Sequence, residues 1–220
     1  MPQTSLHAER MARFRAAGLY LVTSEPLSAG RSTETIVRAA LDGGARLIQL
    51  REKELSARAL TALAQRVRAL TAAAGALLLI DDRLDIALAV GADGVHLGQD
   101  DLPIADARRV APDLILGAST HDIAEARAAE AAGASYVNIG PLFPTGTKLW
   151  TGAFLGIEGL RRIAPRVNLP FTVMGGIKKA HIPELLTAGA QTIAVVTAIT
   201  AAPDPRAATA DLLAEIRKRG

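Results

Sequence analysis

Two cations and an amide alternate in the short segment QLREK at residues 49–53. Alternate residues of an extended chain point the same way, so Gln49, Arg51 and Lys53 should project together. Two cations beside an amide suit a phosphate or pyrophosphate group. The alternative is a solvated strand end whose charges pair locally with Glu52 and Glu54.

Two acidic pairs, Asp81-Asp82 and Asp100-Asp101, also follow apolar runs. Carboxylates are hard oxygen ligands, and the sequence has no Cys and no paired-His motif, so the ion that they favour is Mg²⁺. The alternative is N-capping of the helices that follow, before Pro103 in the second case. Capping needs one acid per helix, whereas each segment offers two. The pairs therefore predict a magnesium site.

A second anion-binding signal lies late in the chain. Gly175-Gly176 follows one apolar run, and Val196-Thr197-Ala198 follows the next. Paired glycines let backbone amides approach an anion closely, and a helix N-terminus favours negative charge. These segments predict a site for a single phosphate. Two anion sites in one place suggest a transferase that joins two phosphorylated substrates.

Ser119 and two histidines are weaker candidates. Ser119 follows an apolar run, but from the residues alone capping of the next helix by Ser119 or Thr120 is the favoured interpretation. His96 and His121 have no evident nucleophile as a partner, so we expect structural roles for both.

Alternating strand and helix patterns must position these residues. The predicted strands are 19–23, 47–50, 77–80, 94–96, 114–117, 136–139, 171–174 and 192–195, and the predicted helices lie at about 32–43, 56–74, 83–90, 103–110, 122–132, 156–165, 178–188 and 204–218. Eight such units favour an α/β fold, a (β/α)₈ TIM barrel, over an open doubly wound sheet, since no linker and no early G-x-G-x-x-G is present. We expect a single domain over residues 1–220, with residues 1–16 as a short N-terminal helix or tail. The polar residues would then meet at the C-terminal mouth of the barrel.

Composition excludes several other classes of protein. The chain has 25 Lys+Arg against 22 Asp+Glu and no basic tract interleaved with aromatics, so we expect no nucleic-acid partner. The absence of Cys excludes disulfides and thiolate zinc sites. No signal peptide and no apolar run of about 20 residues occurs, which predicts a cytoplasmic protein without a membrane association. A homo-oligomer is compatible with the sequence.

The segment GPLFPTGTKLWTG at residues 140–152 is long for a loop in a compact domain. Loops of this length commonly bind something. It carries Thr145, Thr147 and Lys148, together with Trp150, the only tryptophan. Its glycines would allow it to act as a lid that excludes water.

Several of these motifs together resemble the thiamine phosphate synthase family. They are QLREK at 49–53, DDR at 81–83, GADGVHLGQDD at 91–101, LGAS at 116–119, GPLFPTGTK at 140–148, GGI at 175–177 and AVVTAI at 194–199. They occur in the family's order over about residues 17–200. The resemblance implies a (β/α)₈ barrel that condenses hydroxymethylpyrimidine diphosphate with hydroxyethylthiazole phosphate. The products are thiamine phosphate and pyrophosphate, and the family is understood to react through a pyrimidine cation.

The resemblance also implies roles for individual residues. Arg51, Lys53 and Lys148 would bind the pyrophosphate, and Gln49 would place the pyrimidine, with Ser119 near either group. The metal ligands would be Asp82 and Asp101, holding Mg²⁺ on the diphosphate. The thiazole phosphate would be received by Thr145, Thr147, Gly175, Gly176, Val196 and Thr197.

The sequence departs from the family pattern at three places. Asp81 stands where the family usually has Asn, which adds negative charge near the diphosphate and the pyrimidine. Thr197 replaces a common Ser, and the segment at 178–181 lacks a usual Asn. Three rival hypotheses remain. The first is a thiazole tautomerase of the sister group, which is expected to lose the pyrophosphate-binding residues. The others are another phosphate-binding barrel, such as a phosphosugar isomerase or aldolase, and a non-catalytic phosphate-binding barrel.

Overall fold

The structure is a computed structural model and describes residues 5–147 and 150–218. Eight parallel strands form a closed barrel in sequence order, and β1 pairs with β8 to complete it, with Leu19 opposite Ile193. The strands are β1 (Leu19–Val22), β2 (Leu47–Leu50), β3 (Leu77–Asp81), β4 (Gly94–Leu97), β5 (Ile115–Thr120), β6 (Tyr136–Ile139), β7 (Phe171–Val173) and β8 (Thr192–Val195). The predicted (β/α)₈ TIM barrel is confirmed.

The helices surround this barrel. They are α1 (Ser5–Ala16), α2 (Thr33–Asp42), α3 (Ala57–Ala73), α4 (Leu84–Ala89), α5 (Ile104–Val110), α6 (Ile123–Ala131), α7 (Gly156–Ile163), α8 (Ile182–Thr187), α9 (Thr197–Thr200) and α10 (Pro205–Arg217). The helix predicted at 178–188 begins as a 3₁₀ turn, Lys179–His181, because Pro183 starts the α-helix only at α8. The short helix α9 was not predicted, since four residues are too few to show a helical period.

Aliphatic side chains fill two layers around the strands. The outer layer lies between strands and helices and includes Ile36, Val67 and Leu160. The inner layer lies inside the barrel and contains Leu77, Leu79 and Ile115 together with the two tyrosines. Parallel strands covered on both sides read as continuous apolar runs, which is why the strands could be predicted closely.

Helix α1 closes the N-terminal end of the barrel. Its Phe14 ring lies 4.5 Å from the ring of Tyr136, centroid to centroid, and His7 Nε2 lies 2.8 Å from Ser135 Oγ just before β6. Arg10 reaches Asp93 before β4, at 3.5 Å. The N-terminal extension is thus a docked helix that seals the end of the barrel opposite the mouth. No helix within residues 5–147 and 150–218 is long and apolar enough to cross a membrane.

Candidate active site

A cavity of about 330 Å³ opens at the C-terminal ends of the strands. Every predicted site residue that the structure describes lines it: Gln49, Arg51, Lys53, Asp81, Asp82, Asp101, Ser119, Thr145, Thr147, Gly175, Gly176, Val196 and Thr197. Lys148 lies outside the described residues. Side chains scattered over the sequence therefore meet in one place, because the strand ends converge there.

The cations after β2 pair with the acids after β3. Lys53 Nζ lies 3.1 Å from Asp81 Oδ2 and also contacts Asp82, and Arg51 Nε lies 3.5 Å from Asp81 Oδ2. The alternative of local pairing along the chain is therefore wrong for these two cations. Two positive and two negative side chains therefore contact each other at the ends of the neighbouring strands β2 and β3.

Glu52 lies on the other side of the strand extension, as alternation requires. It is buried, accepts hydrogen bonds from the hydroxyls of Thr23 at 2.8 Å and Thr33 at 2.6 Å, and does not line the cavity. This buried carboxylate holds the ends of β1 and β2 to the start of α2. It leaves Gln49, Arg51 and Lys53 on the side of the cavity.

The acidic pairs do not cap helices. The N-cap of α4 is Arg83 and that of α5 is Pro103, and neither makes a side-chain cap hydrogen bond. Asp101 instead accepts a hydrogen bond from the Gly98 amide at 2.7 Å. Asp82 has a φ of 60°, a left-handed conformation that Asp tolerates better than most residues and that turns the chain sharply after β3. The capping interpretation therefore fails for both pairs.

Burial makes the acids costly to ionise. It raises the pKa of the Asp81 carboxyl to about 6, helped by Asp82 and opposed by Lys53 and Arg51. Burial also raises the pKa of Asp101, partly offset by its bond to the Gly98 amide, and Asp82 adds to the rise. Burial alone would lower the pKa of Lys53, but the carboxylates of Asp81 and Asp82 outweigh this effect and raise that pKa. The site thus holds closely spaced negative charge that a cation would stabilise.

Within the described residues, no three His, Cys, Asp or Glu side chains converge as a metal-ligand set. Mg²⁺ commonly uses only one or two protein carboxylates and completes its shell with water and substrate phosphates. Asp82 after β3 and Asp101 after the neighbouring strand β4 fit that pattern of donors. The residues present therefore suit an ion that arrives with a phosphorylated ligand.

Ser119 is available to a ligand because it does not cap α6. The cap is Asp122, whose carboxylate accepts a hydrogen bond from the Glu125 amide at 2.8 Å. The expectation from the residues alone, that Ser119 or Thr120 caps this helix, is wrong. The hydroxyl of Thr120 is 3.1 Å from the Asn138 carbonyl oxygen, whereas Ser119 faces the cavity.

The segment after β6 packs on the end of β7. The Leu142 amide donates to the Met174 carbonyl at 2.9 Å, and the Phe143 amide donates to the Gly175 carbonyl at 3.0 Å. A Cβ atom at Gly175 would lie 2.6 Å from the Cβ of Pro141, and Gly175 has a φ of 103°. The paired glycines are therefore required for this packing, a role that the phosphate interpretation had not included.

The amide groups at the ends of β7 and β8 suit an anion. Within the described residues, no acceptor takes the amide hydrogens of Gly176 and Thr197, and both residues line the cavity. Unpaired amides that face a cavity need a ligand or water as their acceptor. Thr145 and Thr147 lie on the same cavity wall with their hydroxyls 3.2 Å apart.

Trp150 stacks on His121, with ring centroids 4.6 Å apart and an interplanar angle of 20°. The indole Nε1 donates to the Ala153 carbonyl at 3.2 Å. His121 also bonds to Glu125, at 2.8 Å from Nδ1 to Oε2. His121 thus connects the loop after β6 to the end of β5, and it also lines the cavity, so a purely structural role for it stays a prediction.

Sequence reasoning missed a buried group beneath the cavity floor. Tyr20 and Tyr136 are fully buried inside the barrel and hydrogen-bonded to each other, and His96 bonds to Tyr136. His96 and Asn138 also line the cavity. One available signal was that the only two tyrosines occur inside predicted strands, where a buried hydroxyl needs a partner.

Comparison with known proteins agrees with this geometry. Residues 19–199 match the family model of thiamine monophosphate synthase. The thiamine-phosphate synthase of Chloroflexus aurantiacus is 46% identical over 196 residues, which cover 89% of this chain and 91% of that protein. The thiamine-phosphate synthase of Haloquadratum walsbyi is 50% identical over 196 residues, 88% of each chain.

Solved structures show the same likeness. Thiamine phosphate pyrophosphorylase from Pyrococcus furiosus has a TM-score of 0.86 and 40% identity, and the match covers 94% of this chain and 98% of that one. A 3-hexulose-6-phosphate synthase, at 22% identity and a TM-score of 0.65, shares the fold alone. From its sequence match, its closed barrel and its relatives, this chain belongs to the thiamine monophosphate synthase family of (β/α)₈-barrel transferases.

Proposed function

We propose that the chain condenses hydroxymethylpyrimidine diphosphate with hydroxyethylthiazole phosphate in the cavity at the barrel mouth. The observation that carries the proposal is the arrangement of Arg51, Lys53, Asp82 and Asp101 opposite the open amides after β7 and β8. Pyrophosphate leaves with the electrons of the C–O bond, and the thiazole nitrogen forms the new C–N bond at the methylene carbon. The products are thiamine phosphate and pyrophosphate.

Charge on the leaving group is the main demand of this reaction. Arg51 and Lys53 stand where they can bind pyrophosphate oxygens, and the sequence adds Lys148 to this set as a prediction. Preorganised cations stabilise charge that develops in the transition state more than charge in the ground state. No general base is needed, which agrees with a site whose cations already pair with Asp81 and Asp82.

Asp82 and Asp101 would hold Mg²⁺. The ion, when bound, would neutralise charge on the diphosphate and orient its oxygens. Asp81 lies behind these two carboxylates, against Arg51 and Lys53, and orients the two cations.

The thiazole phosphate would occupy the opposite wall of the cavity. Gly176 and Thr197 offer amide donors, and Thr145 and Thr147 offer hydroxyls, with Gly175 and Val196 shaping the same wall. This wall holds the thiazole while Gln49 and Ser119 face the pyrimidine. Such orientation lets the reacting atoms meet without a covalent step on the protein.

The decisive test is the reaction itself. Purified protein with both substrates and Mg²⁺ should produce equal amounts of thiamine phosphate and pyrophosphate, and chelation of the metal should stop the reaction. No product, together with tight binding of a thiazole phosphate alone, would overturn the synthase in favour of a tautomerase or a non-catalytic binder.

A matched pair of lysine variants tests the anion site. Lys53→Ala should lower kcat/KM for the pyrimidine diphosphate by about 100-fold, the usual loss on removal of one charge-stabilising donor. Lys179→Ala removes a similarly exposed lysine that pairs with Asp211 outside the cavity, and should change kcat/KM by less than about twofold, as a surface pair contributes little. Equal effects of the two substitutions would refute the assignment. A cytoplasmic location, a single domain over residues 1–220 and a homo-oligomeric state stay predictions.

A further inference from the structure

Five side chains form a continuous hydrogen-bonded chain through the barrel interior, from Gln49 to Ser119. Gln49 Nε2 donates to the Tyr20 hydroxyl at 2.7 Å, and that hydroxyl lies 3.1 Å from the hydroxyl of Tyr136. The Tyr136 hydroxyl lies 2.8 Å from His96 Nδ1, and His96 Nε2 lies 2.9 Å from Ser119 Oγ. Gln49, His96 and Ser119 line the cavity, and of the five side chains only Ser119 is not fully buried.

Counting donors sets the direction of this chain. Within residues 5–147 and 150–218, the Tyr20 hydroxyl has two hydrogen-bonding partners, Gln49 and Tyr136. Because Tyr20 accepts from Gln49, its own hydrogen has only Tyr136 to go to. The Tyr136 hydrogen then goes to His96 Nδ1. Any other arrangement with this amide orientation leaves a buried phenol hydrogen without an acceptor, which is costly.

The same count of donors and acceptors also fixes which imidazole nitrogen of His96 carries the hydrogen. When Nδ1 accepts from Tyr136, a neutral His96 carries its hydrogen on Nε2 and donates it to Ser119 Oγ. Ser119 Oγ then accepts from inside the protein, and its own hydrogen is left for the cavity. At the other end, Gln49 uses its amide NH₂ on Tyr20, so its carbonyl oxygen is left as an acceptor. Burial raises the pKa of both phenols, so both keep the hydrogens that the chain requires.

We propose that the buried Gln49–Tyr20–Tyr136–His96–Ser119 chain polarises the pyrimidine site, with Ser119 presented as a hydrogen-bond donor and Gln49 as an acceptor. Tyr136 and His96 are then positioning residues that act through Ser119. This inference rests on the proposed function, since it names which atoms of the pyrimidine diphosphate are recognised. Ser119 binds an acceptor, a ring nitrogen or a leaving-group oxygen, and the Gln49 carbonyl binds the exocyclic amino group.

The fixed direction matters because a hydroxyl and an amide can each serve as donor or acceptor. A site free to rotate would bind a ligand with donors and acceptors exchanged equally well. A chain locked inside the barrel cannot reverse one bond without reversing all of them, from the Gln49 amide to Ser119. Discrimination against an analogue whose amino group is replaced by a hydroxyl follows from this constraint.

The first test reads the hydrogen on His96 without any substrate. In ¹⁵N-histidine-labelled protein at neutral pH, NMR should show hydrogen on Nε2 and none on Nδ1, with the signals assigned by their loss in His96→Gln. In Tyr136→Phe, which removes the donor to Nδ1, the ¹⁵N shift of Nδ1 should move to that of an unprotonated imidazole nitrogen without a hydrogen bond. Hydrogen on Nδ1 in the wild type, hydrogen on both nitrogens, or an unchanged Nδ1 shift in folded Tyr136→Phe would each overturn the proposal. The wild-type spectrum decides the matter even if that variant does not fold.

The second test is a double-mutant cycle with kinetics. Tyr136→Phe and Ser119→Ala should each lower kcat/KM by about tenfold, as expected for one hydrogen bond made in the transition state. If Tyr136 acts through Ser119, the double variant should also lose about tenfold rather than about a hundredfold. Additive losses would show that Tyr136 has a merely structural role and would overturn the proposal.

Thr209→Val is the matched control for loss of a buried hydroxyl. The Thr209 hydroxyl donates to the Pro205 carbonyl at 2.7 Å in α10, far from the cavity lining. Its kcat/KM should stay within about twofold of the wild type, since only a structural bond is lost. If the protein proves not to be a synthase, the kinetic cycle has no signal, but the tautomer of His96 still tests the chain. The two failures are therefore distinguishable.

Discussion

Replacing Asp81 by asparagine should stabilise the ligand-free protein at neutral pH. Asp81 is a buried carboxylate next to Asp82, and two cations, Arg51 and Lys53, offset only part of the cost of its charge. Burial and the charge of Asp82 outweigh the attraction of the two cations, so the pKa of Asp81 rises from 3.8 to about 6. Asparagine keeps the shape and the oxygen acceptor but carries no charge.

The size of the effect follows from that pKa. A rise of about two pKa units corresponds to about 3 kcal/mol that the ionised carboxylate costs the folded state. The cost is absent below pH 3.8, where Asp81 is protonated in both the folded and the unfolded state. It grows as the pH rises toward 6 and is complete above that value. We therefore expect the variant to gain up to about 3 kcal/mol at pH 7 and less than about 1 kcal/mol at pH 4.

Urea unfolding in the presence of EDTA measures this gain at both pH values. Asp85→Asn is the matched control, because Asp85 is an exposed acid in the same segment, bonded to Arg83 at 2.6 Å. Its removal should cost at most about 1 kcal/mol, with no gain in stability. An Asp81→Asn protein that is less stable than the wild type at pH 7, or a gain that does not shrink toward pH 4, would refute the electrostatic reasoning.

Three further outcomes are expected. Burial lowers the pKa of His7, so the stability that neutral His7 contributes is complete above its unfolded value of about 6.5 and is lost as pH falls below it. The protection factors of the α1 amides, which are corrected for the intrinsic exchange rate at each pH, should therefore fall between pH 7 and 5, and unchanged protection factors would contradict this. Gly176→Ala places a Cβ 2.4 Å from the Pro144 carbonyl oxygen at a φ of 62°, and should cost about 1–3 kcal/mol by thermal unfolding; an unchanged Tm would contradict it. Lys148→Ala should cut turnover strongly with the fold intact, and a loss under about threefold, about 0.7 kcal/mol, would show that the proposed role is wrong.

Local patterns were enough to predict the barrel and the place of its site. Apolar runs such as that at residues 77–80 alternate with helical periods, and a chain that must cover both faces of a parallel sheet has few arrangements available. The polar residues after each run identify the mouth, because parallel strands all end at the same edge. The alternation of Gln49, Arg51 and Lys53 likewise predicted which side chains share one side.

The contacts between strand ends could not be predicted in the same way. Whether Asp81 caps a helix or pairs with Lys53 depends on the stagger between β2 and β3, and whether Ser119 is a cap depends on where α6 begins. The buried tyrosine chain requires Tyr20 on β1 and Tyr136 on β6 to point inward and meet across the barrel.

The sequence by itself therefore determined the elements, the mouth of the barrel and the chemical types gathered there, since these follow from periodicity along the chain. Only the tertiary structure decided which donor meets which acceptor. Closure of the barrel brings residues more than a hundred positions apart within 3.1 Å, as for Tyr20 and Tyr136, and such distances depend on the register of all eight strands together.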